Sequence, residues 1–351
     1  MKEIMNKLVE YGYEAYVVGG YVRDYLLGIE SEDIDICTNA PISAIIKMFN
    51  GEGTAFPQYY AYHIEKDGVS YDINTYRKEL AYRRNKPVEL EPAKDLATDL
   101  LRRDFTINTF AIDSDGHLID IYGSKKDLDS RIIRVMGDTE KKFKEDKTRI
   151  LRAIRFACTL DFDLEPRIID FLANKHVYLL NEISPEFKKR ELDKIFDSNN
   201  AYKFFYLVKR YNMWKYFNIH SVPEVTQTYS RFGIWAQIDT DLIFTREEKR
   251  IIEGIKKIVS KGEIAFMDFA LYSPEVIYNA ASILGIEGKV RTLLDILSMK
   301  SIIEIDISVS TMLNYVEVDD FKRVYKLIER NIMEGKLENN KEAIIGYLEC
   351  I

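Results

Sequence analysis

Residues 16–38, with the sequence YVVGGYVRDYLLGIESEDIDICT, constrain the fold of this chain more than any other segment. An apolar run ends at Gly19 and Gly20, a helical stretch follows, and Asp33 and Asp35 then alternate with two isoleucines. Successive side chains of a strand point to opposite faces, so both carboxylates project together while the isoleucines pack into a core. The segment therefore predicts a strand, a glycine turn, a helix and a second strand.

The two aspartates and the glycine turn together indicate a site for a metal and a nucleotide. Like charges held side by side repel each other unless a cation lies between them. Carboxylate oxygens suit Mg²⁺, and a glycine turn lets phosphates approach the backbone. A solvated strand of alternating charge would show the same pair of aspartates without any ligand. The neighbouring Gly19-Gly20 and Arg23-Asp24 favour the Mg²⁺–nucleotide interpretation.

This segment resembles the head-domain signature of the tRNA nucleotidyltransferase and bacterial poly(A) polymerase family, within the DNA polymerase beta superfamily. In that family a GG-x-VRD-x-LLG segment precedes paired metal-binding carboxylates. The resemblance implies nucleotide binding by Gly19, Gly20, Arg23 and Asp24. It implies that Asp33 and Asp35 are catalytic metal ligands. One metal would activate the attacking RNA hydroxyl, and the other would neutralise the leaving pyrophosphate.

The chain changes character along its length, and at 351 residues it exceeds one typical core. Strand patterns alternate with helices up to about residue 122, and helical spacing dominates beyond residue 138. The predicted fold class is therefore α+β and multidomain. The resemblance implies a small nucleotidyltransferase head with a polymerase beta-like mixed sheet and helices (1–137). An all-helical neck for base selection (138–200), a body (201–270) and a tRNA-binding tail (271–351) would follow.

Composition sets looser limits. Three cysteines and four histidines show no disulfide or metal-ligand spacing, which is typical of a reduced, cytoplasmic protein. We expect no signal peptide and no membrane span, because no apolar run approaches the ~20 residues that a bilayer requires. The net charge of −7 argues against indiscriminate coating of nucleic acid but permits a local basic groove.

Two further blocks extend the resemblance within the head. YAYHIEK and VSYDINTY flank Asp67-Gly68, which predicts a β-hairpin. The family has an acidic residue in the second strand, so Asp72 is either the third catalytic carboxylate or an exposed strand aspartate. The block LLRRDFTINTFAID matches the family's RRDFT-x-N pattern, which implies that the sugar and triphosphate are bound by Arg103, Asp104 and Asn108. Asp104 and Asn108 would share one face if the block is helical.

The segment YRKELAYRRNKPVELEPAKDLATD, between those blocks, is highly charged and weakly periodic. We predict a solvated loop, in the place of the family's flexible loop. In the family, a loop of this size accompanies enzymes that add the terminal A, whereas a shortened loop accompanies enzymes that add only the two cytidines.

The block IIRVMGDTEKKFKEDKTRILRAIRFA resembles the family's segment for choosing the base. Asp146 and Arg149 are three residues apart and would share a helix face. A carboxylate can accept from the exocyclic amino group of C or A, while a guanidinium donates to the adjacent ring acceptor. Uracil and guanine present a carbonyl there, which would leave buried acceptors unpaired. The alternative is an ordinary helix salt bridge. Arg152 and Arg155 extend the same helix and complete the predicted nucleotide-binding set.

Basic residues interleaved with aromatics occur in and beyond this block. Lys141, Lys142 and Lys144 precede the helix, and the stretches FKKRELDKIF and YKFFYLVKRYNMWKYF follow it. Such patches fit contact with an RNA backbone, although a charged helix face over a buried aromatic stripe gives a similar pattern.

The sequence thus predicts template-independent addition or repair of the 3′ CCA end of tRNA, with CTP, ATP and Mg²⁺. Tightly related alternatives are a poly(A) polymerase and a CC-only or A-only enzyme. A catalytically silent RNA-binding relative is an alternative of another class, and the retained pair of repelling carboxylates disfavours it. The sequence does not indicate an oligomeric state.

Overall fold

The computed structural model describes residues 1–173, 176–221, 224–265, 268–297 and 305–351. These residues form two compact units, Met1–Ile219 and His220–Ile351. The finer division into head, neck, body and tail remains a prediction.

The first unit is built around a seven-stranded mixed sheet with the strand order β3-β4-β5-β2-β1-β8-β9. Strands β6 and β7 form a separate hairpin, and β10 and β11 form a short parallel pair. The strands are β1 (Ala15–Val18), β2 (Asp33–Thr38), β3 (Thr54–Phe56), β4 (Ala61–Lys66), β5 (Val69–Thr75), β6 (Arg77–Arg83), β7 (Lys86–Pro92), β8 (Ala111–Ile112), β9 (Leu118–Ile119), β10 (Ile132–Ile133) and β11 (Asp163–Leu164).

Helices surround this sheet and make up most of the chain beyond it. Those of the first unit are α1 (Lys2–Glu10), α2 (Gly20–Leu27), α3 (Ile42–Phe49), α4 (Leu96–Leu101), α5 (Lys125–Asp129), α6 (Thr139–Glu145), α7 (Thr148–Thr159), α8 (Pro166–Ala173), α9 (Pro185–Phe196) and α10 (Ala201–Arg210). Those of the second unit are α11 (Arg231–Gln237), α12 (Arg246–Lys261), α13 (Asp268–Leu271), α14 (Pro274–Leu284), α15 (Glu287–Leu297), α16 (Val309–Met312), α17 (Val318–Met333) and α18 (Lys341–Leu348). The helical character predicted beyond residue 138 is confirmed for the described residues, apart from β11.

The predicted strand–turn–helix–strand unit is confirmed. Strand β1 ends at Val18, and α2 starts at Gly20. Gly19, between them, has a φ of 80°, in the region that favours glycine. In β2, Ile34 and Ile36 are buried, while Asp33 is exposed and Asp35 is partly buried. The alternation therefore leaves both carboxylates on one face of the sheet.

The predicted hairpin at Asp67-Gly68 is also confirmed, because both residues have positive φ and join β4 to β5. Strand β5 then pairs in parallel with β2, with Asp72 opposite Asp35. This long-range pairing brings all three predicted carboxylates to neighbouring strands.

The prediction of a solvated loop after β5 was wrong. Strands β6 and β7 form a hairpin whose turn residues, Arg84 and Asn85, have φ values of 50° and 63°. Two consecutive residues of positive φ are typical of a tight hairpin turn. The inward-facing side chains of β6 include Arg77 and Glu79, which are only 15% and 9% exposed. Because these buried positions are charged, the strand lacked the apolar alternation by which sequence patterns reveal strands.

The second unit is helical throughout its described residues and has its own core. Helix α12 begins with a capping box between Thr245 and Glu248 and packs against α11 and α14. Helices α16, α17 and α18 enclose a cluster that includes Met312, Phe321 and Ile344. None of the helices in the described ranges has the length and apolar character that crossing a bilayer requires.

Candidate nucleotide site

Carboxylates converge where β2 lies beside β5. Burial raises the pKa of Asp35, and the charges of Asp33 and Asp72 raise it further against the opposing charge of Arg103. A cation between these carboxylates would relieve that repulsion, so the donor set fits a divalent metal with oxygen ligands.

Asp72 has a partner that sequence reasoning missed. Its Oδ1 lies 2.8 Å from Nδ1 of His63, which faces it across the β4–β5 hairpin. Counting outward from the predicted turn would have paired these two positions. Whether Asp72 ligates a metal remains a prediction.

Gly19 lies tightly against the functional side chains. A β-carbon at this position would lie 2.7 Å from Nη1 of Arg103 and 3.0 Å from Oδ2 of Asp35. The Nε atom of Arg103 is buried and has no hydrogen-bond partner among the described residues. Arg103 therefore has an unpaired donor nitrogen close to the carboxylates.

Arg103 also lines a cavity of about 270 Å³ next to these carboxylates. The cavity brings together five predicted nucleotide-binding residues: Arg103, Asp104, Asp146, Arg149 and Arg152. Its other lining residues are Glu79, Tyr82, Pro87, Arg102, Thr148 and Phe187. The sequence did not single out Glu79, Tyr82 or Phe187.

Asp146 and Arg149 are close together, but they do not share one helix as expected. Asp146 follows the end of α6 in an extended conformation, and Arg149 lies in the first turn of α7. Asp146 Oδ1 accepts from the backbone N–H of Thr148 at 3.0 Å, and Asp146 Oδ2 lies 3.9 Å from Nε of Arg149. The break between the helices places both side chains on the cavity wall.

The β6–β7 hairpin holds this segment at two points. Arg149 Nη2 donates to the hydroxyl of Tyr82 at 2.7 Å, and that hydroxyl donates to Glu79. At the turn, Asn85 Oδ1 accepts from the backbone N–H of Lys147 at 3.0 Å. The hairpin thus orients the region that contains the predicted base-selecting residues.

A continuous series of hydrogen bonds, which we term the polar chain, runs from α2 to α7. Arg23 donates through Nε to Asp24 at 2.8 Å and through Nη1 to Asn108 at 2.7 Å. Asn108 donates to Asp104 at 2.9 Å, and Arg152 Nε donates to the other oxygen of Asp104 at 2.7 Å. Burial opposes ionisation of Asp104, but the charge of Arg152 and these hydrogen bonds hold its pKa below the usual range.

The polar chain bears on two predictions, the local structure between Asp104 and Asn108 and the role of Arg23. Asp104 precedes a short 3₁₀ turn (Thr106–Asn108), so the condition that the block is an α-helix is not met, although the two side chains do meet. Arg23 is only 7% exposed, and each of its three guanidinium nitrogens donates to Asp24 or Asn108. Direct binding of the triphosphate by Arg23 remains a prediction.

Two predicted cations have other partners. Arg155 lies outside the set that lines the cavity, and its Nε donates to the buried carboxylate of Glu191 at 2.6 Å. Lys142, assigned to an RNA patch, donates to the carbonyl oxygens of Leu101, Arg102 and Arg103 at 2.9–3.2 Å. Lys142 therefore fixes α6 to the end of α4 and is not available to RNA.

A second acidic group lies in the turn between β8 and β9. Ligand atoms of Asp113, Asp115 and His117 lie within 4.8 Å of one another. Asp113 Oδ1 accepts from the backbone N–H groups of the other two residues, and Asp113 Oδ2 lies 3.1 Å from Nδ1 of His117. These mutual bonds account for the arrangement.

Comparisons with known proteins agree with this architecture. Residues 15–134 match the family model described as the poly A polymerase head domain. The CCA-adding enzyme of Bacillus pumilus is 40% identical over 193 residues, which cover 55% of this chain and 48% of that enzyme. The CCA-adding enzyme of Bacillus licheniformis is 28% identical over 395 residues, which cover 99% of this chain and 96% of that enzyme. At 36–40% identity, the chain spans about half the length of the curated relatives it matches.

Solved structures show the same fold. The Bacillus stearothermophilus CCA-adding enzyme in complex with CTP has a TM-score of 0.69 and 24% identity, and the alignment covers 99% of this chain and 95% of that one. The Thermotoga maritima CCA-adding enzyme complexed with tRNA has a TM-score of 0.62 and 21% identity, with coverage of 99% and 94%. The predicted α+β multidomain fold, with a mixed-sheet head and helical remainder, is confirmed.

Proposed function

We propose that the chain is a member of the tRNA nucleotidyltransferase and poly(A) polymerase family, whose head-domain model it matches over residues 15–134, and that it builds or repairs the 3′ CCA end of tRNA from CTP and ATP. Relatives that align along nearly its whole length are CCA-adding enzymes. One structural observation carries the proposal: Arg103 lies beside the carboxylates and also lines the cavity with Asp146 and Arg149. A reacting phosphate and a selected base could therefore be bound in adjoining places.

Metal binding is assigned to Asp33 and Asp35. The family uses divalent metal ions, and the hard oxygen ligands of these carboxylates favour Mg²⁺. When bound, Mg²⁺ would help to deprotonate the attacking 3′ hydroxyl and would neutralise charge on the leaving pyrophosphate. Asp72 lies in register with Asp35 and is the candidate for a third carboxylate at this centre.

The protein's own groups would do the remaining work by positioning and electrostatics. The Gly19–Gly20 turn leaves room for the triphosphate, and Arg103 donates to its oxygens. Asp104 and Asn108 maintain the polar chain that supports Arg152 beside the cavity. The 3′ hydroxyl of the RNA attacks the α-phosphate in line, and pyrophosphate leaves.

Base selection is assigned to Asp146 and Arg149. The carboxylate accepts from the exocyclic amino group that cytosine and adenine share, while the guanidinium donates to the neighbouring ring nitrogen. The contacts of Arg149 with Tyr82 and with the carbonyl of Lys142 (3.1 Å) support a fixed donor direction.

The product distribution on tRNA that lacks its CCA tests the proposal. The protein is incubated with CTP alone, ATP alone and both, and the 3′ ends are sequenced. We expect two cytidines with CTP alone and CCA with both nucleotides. Long A tails without C would instead identify a poly(A) polymerase. Arrest at CC, or A added only to tRNA that already ends in CC, would identify a partial enzyme.

Asp146→Ala should relax discrimination between bases. Removing the acceptor removes the penalty against the uracil carbonyl, so kcat/KM for UTP relative to CTP should rise about tenfold. Asp129→Ala, which removes a surface ion pair with Lys125, is the matched control and should leave the ratio unchanged. An unchanged ratio in Asp146→Ala would reject base selection by this carboxylate.

Tyr82→Phe should also reduce selectivity, because it removes the hydroxyl that receives Arg149 but keeps the ring beneath the guanidinium. We expect the preference for CTP over UTP to fall about fivefold, as the loss of one hydrogen bond to a charged group suggests. Tyr122→Phe is a matched control, because Tyr122 donates to the carbonyl of Ala97 away from the cavity. Equal effects of the two variants would show that the hairpin does not position Arg149.

A further inference from the structure

Helix α9 carries four basic residues within about two turns, and the structure separates them by their surroundings. Lys188 is buried and donates to Asn218 at 3.2 Å, and Lys189 pairs with Asp193 at 2.8 Å. Arg190 and Lys194 remain 63% and 54% exposed. These two are four residues apart and therefore lie on the same helix face. We call them the α9 basic edge.

Among the described charged groups within 4 Å of Glu191, the cations of and beside the α9 basic edge outnumber the carboxylates. The two members of the edge lie 3.9 and 3.8 Å from Glu191, a buried carboxylate that already accepts a 2.6 Å hydrogen bond from Arg155. Three cations thus share one carboxylate among the described residues. Partial burial lowers the pKa of Lys194, and the charges of Arg155 and Arg190 lower it further against the effect of Glu191. An additional anion at this edge would be stabilised.

The α9 basic edge starts at the wall of the nucleotide cavity. Phe187 lines the cavity, and the guanidinium of Arg190 lies 4.6 Å from the centre of its ring. Arg152, a predicted cation that also lines the cavity, is already bound to Asp104. An anion that extends out of the cavity along α9 would therefore meet Arg190 first and Lys194 one turn later.

We propose that Arg190 and Lys194 bind backbone phosphates of the RNA primer near its 3′ end. This inference rests on the proposed function, since that reaction needs a polymer whose 3′ hydroxyl reaches the cavity while its phosphates lie outside. A nucleoside triphosphate alone would be held by Arg103 and by the Mg²⁺ that Asp33 and Asp35 would bind. The α9 basic edge therefore serves affinity for RNA and not affinity for CTP or ATP.

The double variant Arg190→Gln/Lys194→Gln tests this assignment in the full-length chain. Fluorescence anisotropy with labelled tRNA that lacks its CCA should show about tenfold weaker binding. The slope of log K against log salt should decrease by about 1.4, the value for two phosphates of a single strand. The KM for CTP at saturating tRNA should stay within about twofold of wild type, because no ligand of the triphosphate is altered.

Lys125→Gln/Lys126→Gln is the matched control, since it removes the same charge from the exposed surface of α5. Equal weakening in the control would show a net-charge effect and overturn the proposal. Unchanged RNA affinity, or a raised KM for CTP with intact RNA affinity, would also overturn it. A thermal melt of each variant shows whether it is folded. The single variant Lys194→Gln, which changes one exposed side chain, should still weaken RNA binding if the proposal is correct. Because RNA binding is measured without turnover, a wild-type protein that fails to add C or A would refute the proposed function separately.

Discussion

Asp35→Asn is expected to slow nucleotide transfer about a thousandfold for CTP and ATP alike, which corresponds to about 4 kcal/mol of barrier. The substitution keeps the shape of the side chain and removes the charge that would ligate the metal. Strand β2 has no third carboxylate that could replace Asp35, which lies opposite Asp72 of β5. Loss for both nucleotides is the important feature, because one metal site must serve every addition.

The control for this variant is Asp113→Asn, in the acidic turn between β8 and β9. It should leave transfer unchanged. This result would show that the reaction depends on the carboxylates of β2 and not on the acidic turn between β8 and β9. Calorimetric titration with Mn²⁺ provides a readout without turnover and should show weaker binding only for Asp35→Asn. Activity within about tenfold of wild type would exclude Asp35 as a metal ligand.

Gly19→Ala should reduce transfer about a hundredfold, or about 3 kcal/mol of barrier. The new methyl group would approach Nη1 of Arg103 to 2.7 Å and Oδ2 of Asp35 to 3.0 Å. Because Arg103 ends in a flexible chain, it can move away, and the fold would survive. The displaced guanidinium would then be misplaced for the triphosphate.

Gly28→Ala is the control for a β-carbon at a glycine of positive φ that has no close neighbour. Gly28 has a φ of 71°, close to the 80° of Gly19, but a β-carbon there would meet nothing within 4 Å. Gly28→Ala should lose about 1 kcal/mol of unfolding free energy, because its backbone is left-handed helical. Gly19→Ala should lose more, because its φ of 80° combined with a ψ of −139° is nearly closed to residues that have a β-carbon. Only Gly19→Ala should lose activity in steady-state assays. Similar activity of the two variants would show that the close approach at Gly19 is not needed.

Local patterns predicted the parts of the site that are formed by neighbouring residues. The alternation in β2 placed Asp33 and Asp35 on one face, and the Asp67-Gly68 turn defined the β4–β5 hairpin. The parallel pairing of β2 with β5 could not be read from either strand, because a period of two does not specify a partner. Only the resemblance to a family linked Asp72 to the pair.

Buried charged side chains explain why some of the predictions from the sequence were wrong. Glu79 lies within ion-pair distance of Arg77, Arg102 and Arg149, and Glu191 receives Arg155. Charged residues are usually exposed, so a pattern rich in them predicts a solvated loop or helix face. The same reasoning placed Lys142 on an RNA surface, whereas three carbonyl oxygens at the end of α4 receive its ammonium group. The roles proposed for the nucleotide-binding residues remain to be tested.

The polar chain has a consequence for anyone who recombines this protein with a relative. Its members come from three distant parts of the sequence, at residues 23–24, 104–108 and 152. The charge of Asp104 is balanced by Arg152, which lies far from it in the sequence. A chimera joined between residues 108 and 152 would take Arg152 from one parent and Asp104 from the other. Such a chimera keeps the hydrogen bond to Asp104 only when the second parent has an arginine at the position of Arg152. A crossover after residue 160 keeps the whole set together and is the safer boundary for exchanging helical segments.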